Sequence, residues 1–569
     1  MVRSHGRSTV GAASPLPLTR RRLLGLAGLV ALGAATAACG GNDPNAATTT
    51  TGMAPGTTEA PVFTNPSTTV DPTLNPVSGG SLIVGLDAES PGYHPHVDPW
   101  GNGGHVVAKA IFDTLASYDA SGKVVPYLAE SIEANDDATV WTITLRDGIE
   151  FHNGEVLDAE AVRLNFAAVQ ASPAYSSQLQ LLASMTVADP LTLELTMSAP
   201  WSTFPNSLTG DIGAQVGYMA APAMLADPQG GRAPIGTGPF SFVEWVPDDH
   251  LTVERFDGYW QAPAWLDTVE FRPIPDSTSR KAAFDAGDID VYYTADTSDI
   301  TAYLEQQTAG DLTVTIGAPS EPDMVMLNTR SAPLDDVRVR RALAMSVDID
   351  RLYDYLDATG VKQKLTGPYA DSSFWFTESN YPEFDPVGAK ALIDEYVAEK
   401  GTPVEIEFAG GQDPFITSYQ ELFQSMWAEI GVTANIVSRA QGENIAAVIA
   451  GDYQVILWGG VGGGDPDADY NDFHSGTGLN FSGFSTPEMD AALDEGRRLT
   501  DPEARKEQYA IVQTILGDNV PYIWTGTNQF AVITPPSVLG MGGFLLPDGT
   551  SGQSITGGRF FLKDVWLLQ

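Results

Sequence analysis

Cysteine is almost missing from this 569-residue chain: Cys39 is the only one, so no disulfide can close within it. Positive charge is scarce as well. Thirty Lys and Arg face 72 Asp and Glu, a formal net charge of −42, and such a surface repels nucleic acid and anionic lipid, which excludes both as partners. The chain carries no G-x-S-x-G, H-E-x-x-H, C-x-x-C or phosphate-loop pattern. Nothing therefore marks an acyl-enzyme nucleophile, a zinc protease, a redox dithiol or a nucleotide cradle. No cofactor is expected. No repeat recurs at a fixed period, and the apolar run Leu23 to Ala38 is too short to span a bilayer as a helix.

What is present begins with a leader. Arg20, Arg21 and Arg22 stand directly before that apolar run, the layout of an export signal of the twin-arginine kind, with a general secretory signal as the alternative. The run ends Thr36-Ala37-Ala38-Cys39-Gly40, which resembles a bacterial lipobox; residues 1–38 are then removed and Cys39 is lipidated. Residues 40–78 hold ten Thr, six Pro and no Lys or Arg, too little apolar surface to fold. Residues 39–78 read as a disordered tether with a coil span of roughly 35 Å. Beyond it, with 43% of the whole chain hydrophobic, there is enough apolar material for two or three domains.

The most patterned stretch runs from Pro126 to Phe166. Trp141, Ile143 and Leu145 alternate with Thr142, Thr144 and Arg146, a half-buried strand. Asp147-Gly148 is a turn pair, Ile149 to Phe151 a short second strand, and Asp158 a helix N-cap ahead of Val162, Phe166 and Val169 on one helical face. The order LAES, W-x-I-x-L-R-D-G-x-x-F-x-N-G-E, then D-A-E-x-V resembles the family 5 extracellular solute-binding proteins, the oligopeptide-, dipeptide- and nickel-binding components of bacterial ABC importers. Similar likeness attends Gly236-Thr237-Gly238-Pro239-Phe240 and the run Asp335 to Leu352, so the resemblance covers roughly residues 80–569.

That resemblance implies an α/β, periplasmic-binding-protein-like fold (class II, cluster C) of two lobes with an extra α/β domain inserted in the first. Residues 79–124, 236–318 and 533–569 form lobe I, 125–235 the inserted domain II, and 319–532 lobe III. It implies a monomer that takes a small-molecule or peptide ligand in the inter-lobe cleft and hands it to an ABC permease and its ATPase subunits. The protein sits on the extracytoplasmic face of the cell membrane, touching lipid only through its anchor. Domain II is a spectator in binding, and catalysis is not part of the role. Two other readings use the same scaffold: a non-transport surface lipoprotein, such as a sensor or chaperone, and a wall-glycan-active enzyme built on two carboxylates.

Candidate ligand contacts follow from the same likeness. The strand Tyr453 to Trp458 runs into Gly459, Gly460, Val461 and Gly462. In peptide-binding relatives an aspartate three residues after the tryptophan pairs the ligand's amine; here Val461 occupies that place, or Gly462 if Asp465-Pro466-Asp467 sets the register. Neither carries charge, and Asp465 could substitute if the loop folds back. An ammonium enclosed without a partner costs several kcal/mol, about 3–5 for a buried pair that loses one member. The glycines are either a flexible strand-to-loop transition or a clearing for ligand. The loop Glu89 to Gly104 offers Tyr93, His94, Trp100 and Asn102, and Met326 and Trp375 complete the set. His94 and His96, with His105 nearby, would suit a metal or haem-like ligand, satisfied surface histidines being the alternative. Arg338, Arg340 and Arg341 grip a ligand carboxylate or line a solvated helix face. Asp465-x-Asp467-x-Asp469 fails as a calcium loop, since position six is Tyr470 and position twelve Gly476.

Overall fold

The structure is a computed structural model that describes residues 75–210, 215–317, 321–355, 362–460 and 465–568. The leader, Cys39 and the tether up to residue 74 lie outside the described residues, as do Val461 and Gly462.

The alternation in Val140–Leu145 resolves as a central strand of an antiparallel sheet with Ala129–Ala134, Thr192–Met197 and Leu182–Asp189. Trp141 and Ile143 stand opposite Leu195 and Leu193, so one face of the sheet is continuous hydrocarbon. Helix Ala159–Ala171 lies on that face through Val162, Phe166 and Val169, all fully buried, and each such side chain is worth about 1.5–3 kcal/mol over its exposed state. Asp158 caps the helix by accepting the Ala161 N–H at 2.8 Å. The expected strand at Ile149 to Phe151 is not formed; Glu150 makes only an isolated bridge to Val156, because the Asp147-Gly148 and Asn153-Gly154 turns leave too few residues to extend it.

Around this inserted sheet lies a body with two further sheets. Ser81–Leu86 pairs in parallel with Thr268–Pro273, which continues antiparallel to His250–Arg255 and Phe240–Val246. Tyr292–Thr294 and Thr313–Ile316 flank Ala531–Thr534. The other body is a five-stranded mixed sheet in the order Val432–Ser438, Val404–Gly410, Val455–Gly459, Glu321–Leu327, Tyr522–Asn528. Its first three strands are parallel, joined by helices Pro414–Glu429 and Gln441–Ala450. Period-two alternation divides this sheet between two cores. Val325, Leu327, Phe408 and Val455 face Phe423 and Trp427, whereas Met324, Met326, Ile456, Tyr522 and Trp524 face Tyr509 and Leu516.

The chain crosses between the bodies on adjacent paths. Thr313–Ile316 leads into Glu321–Leu327, and Tyr522–Asn528 returns into Ala531–Thr534. The paths are tied where Gly317 N–H donates to Phe530 O at 3.0 Å. A pair of short, adjacent antiparallel crossings is the geometry in which a few backbone torsions can swing one body against the other.

Candidate functional site

In open α/β sheets, ligands settle outside the carboxyl ends of the parallel strands. Here that end is marked by Gly410, Ser438 and Gly459, and the antiparallel strand Glu321–Leu327 brings Asp323 to the same edge, directly opposite Gly459. Trp458 is half-buried, stands across from Met324, and packs its ring edge-on to Phe481 at 6.0 Å. A Cβ placed on Gly459 meets nothing within 4 Å, so open space lies beside the indole strand. Gly460 is different: its Cβ would sit 2.5 Å from Pro322 Cγ, and its N–H donates to Pro322 O, so that glycine is a packing requirement.

The three carboxylates after the glycines each have their own partner. Asp465 accepts two hydrogen bonds from Arg505 and one from the Asp467 N–H, capping the 3-10 turn Pro466–Asp469. It is thus committed to a structural ion pair, and the substitution for the missing amine partner is not what its geometry serves. Asp467 is buried against Arg497 and Trp201. Asp469 accepts from the Tyr369 hydroxyl at 2.7 Å; burial pushes its carboxyl well up, and Asp472, Asp465 and Asp467 add to the rise.

The loop Glu89 to Gly104 faces inward more than outward. Tyr93 is 1% exposed and packs against Trp245 at 5.4 Å and Trp100 at 6.3 Å; burial raises its hydroxyl pKa. Trp100 stacks on Phe112 and donates Nε1–H to Gly92 O at 3.0 Å. Both rings are core, anchored by residues the loop's own sequence could not reveal. Asn102 opens helix Asn102–Ile111 and is half-buried. Next to it, Gly101 lies against Gln441 of the other body, so this loop does line the junction between bodies.

His94 and His96 pack edge to face, 6.0 Å between ring centres. Asn165 donates through Nδ2 to Ala161 O and Ala220 O and accepts the Ala220 N–H on Oδ1, which fixes its amide orientation. His96 Nε2, 2.9 Å from that Oδ1, is therefore the donor, and burial lowers the His96 pKa to about 4. His105 is buried with Nδ1 3.5 Å from the Tyr218 hydroxyl and shifted well down by burial and by Arg559 and Lys109. His94 Nδ1 accepts the His96 N–H. Among the described residues, no group of three or more His, Cys, Asp or Glu is placed to hold a metal ion.

Met326 is core, 2% exposed. Trp375 lies half-buried under Phe374 and Tyr509, with the Arg505 guanidinium 5.0 Å from its ring. The arginines of the cluster are engaged by the chain itself, Arg338 on a partly solvated helix face. Arg338 pairs with Asp336, Glu395 and Glu399. Arg340, buried, donates to Asn519 O and Leu334 O, and Arg341 to Gly517 O and Asp518 O. The latter two close the carbonyl end of helix Pro502–Asn519.

Sequence reasoning missed Asp323 and Lys362. Lys362 Nζ donates to Asp323 Oδ2 at 2.7 Å, with the two side chains 5% and 20% exposed, and the Tyr419 hydroxyl reaches the same oxygen at 3.4 Å. Asp323 belongs to no motif of its own, and nothing in the sequence ties it to Lys362.

Two bodies joined by paired crossings, with the Trp458 strand ending at the carboxyl edge of the second sheet, form the kind of scaffold in which a solute is enclosed between lobes. A family described as bacterial extracellular solute-binding proteins, family 5 Middle, matches residues 123–481, and the chain belongs to that family. It is similar to the nickel-binding periplasmic protein of Escherichia coli K12, 28% identical over 460 residues, covering 75% of this chain and 86% of that one. The dipeptide-binding protein of the same strain is 25% identical over 480 residues, covering 78% and 89%. The fold is that of the oligopeptide-binding protein AppA of Bacillus subtilis, solved with a nonapeptide, with a TM-score of 0.76 and 19% identity over 87% of this chain and 100% of that one. No helix among the described residues is long and apolar enough to cross a membrane.

Proposed function

We propose that this chain is an extracytoplasmic solute-binding lipoprotein, anchored through Cys39, that encloses a peptide or peptide-like solute between its two bodies and delivers it to an ABC permease. It acts as a monomer and without catalysis; affinity comes from enclosure, and the energy of transport from the partner ATPase. The observation that carries this reading is the strand end at Trp458 and Gly459: a half-buried indole followed by a glycine that faces open space, at the carboxyl end of the parallel strands. Relatives named for nickel and for dipeptides, and a neighbour solved with a nonapeptide, set the range of solutes.

Within that range the reading favours solutes with no free ammonium to neutralise: amine-blocked peptides, or opine- and siderophore-like compounds. Position 461 is valine, position 462 glycine, and Asp465 is occupied by Arg505. Asp323 is likewise occupied by Lys362. Trp458, Gly459 and Gly460 remain the ligand-strand candidates, with Asn102 and Trp375 as flanking walls.

The test is a melting-temperature screen over matched pairs of free and N-acetylated peptides, opines and metal chelates. A solute that binds only the folded protein stabilises it by mass action, about 2.7 kcal/mol at a hundred times its dissociation constant, and so raises the midpoint. A rise with amine-free solutes supports the reading; a screen in which no class moves the midpoint removes it.

A further inference from the structure

The inserted domain does not stand apart from the second body. Trp201, in the segment that follows its sheet, is held there by Trp141 Nε1–H donating to Trp201 O at 3.2 Å and by Phe204 at 5.1 Å between ring centres. From that position Trp201 Nε1–H donates to Asp467 Oδ2 at 3.2 Å, 266 residues along the chain. The other Asp467 oxygen accepts from Arg497 Nε at 2.7 Å, with both side chains buried. The Arg497 guanidinium lies 3.4 Å over the Tyr470 ring and 4.8 Å from the Trp201 ring. Ser202 N–H donates to Arg497 O at 3.0 Å, and its hydroxyl lies 2.9 Å from that oxygen and 2.7 Å from Leu499 O. Gln180 Nε2 donates to the Tyr470 hydroxyl at 3.3 Å. On the other side of the same turn, Ala468 is buried against Tyr118.

Each of the contacts that crosses to the second body lands on Asp467 to Tyr470 or on the helix Pro487–Arg498 and the Leu499 that ends it, and the turn Pro466–Asp469 comes shortly after the glycines behind Trp458 in sequence. An ion pair of this kind is costly to bury and gains from a low-dielectric enclosure only while its partners stay together. Opening of the junction hydrates Asp467 and Arg497 and discards the indole and hydroxyl hydrogen bonds.

We infer that Trp201 and Ser202 are positioning residues of the inserted domain that latch the second body in its closed state through Asp467 and Arg497, so that the domain sets how tightly the candidate ligand strand is held without touching the solute. This rests on the reading above that the two bodies close around a solute. It departs from the spectator role that the family resemblance implied for the domain.

The experiment places nitroxide labels on the full-length chain through Ser184→Cys, on the inserted sheet, and Glu488→Cys, on the second body. Cys39→Ser leaves these as the sole thiols. Pulsed electron resonance then reads the distance distribution alone and with a library of N-acetylated peptides. Against this background Trp201→Phe with Ser202→Ala lowers the ratio of closed to open populations about tenfold, equal to about 1.4 kcal/mol. Trp201→Phe with Ser202→Thr, which keeps the hydroxyl, recovers part of it, whereas a loss due to poorer folding alone would not follow the hydroxyl. If the parent shows two distances and the double variant keeps the parent's ratio, the latch is overturned. If the parent shows a single distance under every condition, the closing motion itself is absent and the reading beneath the latch falls with it.

Discussion

Arg505 holds Asp465 fork to fork: Nη1 donates to Oδ2 at 2.7 Å and Nη2 to Oδ1 at 2.5 Å. The guanidinium side chain is 8% exposed and the carboxylate 23%. A bidentate pair at this depth fixes where the chain goes after the glycine run, and it neutralises the acid nearest the strand end in sequence.

Arg505→Ala leaves that carboxylate without its partner and costs about 3 kcal/mol, the lower end of what breaking a buried pair costs, since Asp465 keeps some solvent. Arg505→Lys recovers only part, because an ammonium cannot reproduce the planar fork. Urea unfolding of both variants checks the ranking. Equal stability of Arg505→Ala and the parent would show that the pair does not hold the turn.

The two described glycines behind Trp458 behave oppositely. Gly459→Ala enters open space and leaves the unfolding free energy within about 0.5 kcal/mol of the parent. Gly460→Ala drives a methyl to 2.5 Å from the Pro322 ring, which cannot swing away, and costs about 1–3 kcal/mol. Gly459→Phe fills the clearing, so it keeps the fold and abolishes solute-induced stabilisation. Thermal unfolding with and without a bound solute separates the three.

Trp458→Ala removes a half-buried ring, not a core one. Solute binding falls at least tenfold while the unfolding midpoint moves by less than the change caused by Trp427→Ala, a fully buried ring whose loss costs about 3–5 kcal/mol. Calorimetric titration beside denaturant unfolding reads both.

Acid should weaken the fold through His96. Its folded pKa, about 4, lies below the unfolded value near 6.5, so between those pH values the unfolded chain holds more protons. Stability is fully present above pH 6.5 and is lost as pH falls toward 4, by up to about 1.4 kcal/mol per pH unit. His96→Gln can still donate to Asn165 and does not titrate. The variant therefore loses less unfolding free energy than the parent from pH 6.5 to 4. Buried His105, shifted the same way, leaves a residual slope in both.

Local pattern carried much of the fold. Trp141, Ile143 and Leu145 announced their strand by alternation, and Asp158 its helix by spacing, because both signals lie within a few residues. What failed was orientation set from afar. Tyr93 and Trp100 sit in a Gly- and Pro-rich loop that looks like a ligand wall, yet Trp245, distant in sequence, and Phe112, at the end of the helix that follows, turn them inward. Arg340 read as a carboxylate grip or part of a solvated helix face; it is buried, and its partners are the carbonyls of Leu334 and of Asn519, the latter 179 residues on. Asp465, Asp467 and Asp469 read alike in sequence, yet Arg505, Arg497 and Tyr369 give each a different task.

Native mass spectrometry of the purified, folded protein tests the central claim most directly. The account predicts a non-covalent adduct, one small solute per chain, released on denaturation and unreactive toward amine-labelling reagents. A protein that carries no adduct and acquires none from the peptide, opine and chelate panel would contradict solute capture. An adduct with a free α-amine would contradict the neutral grip behind Trp458.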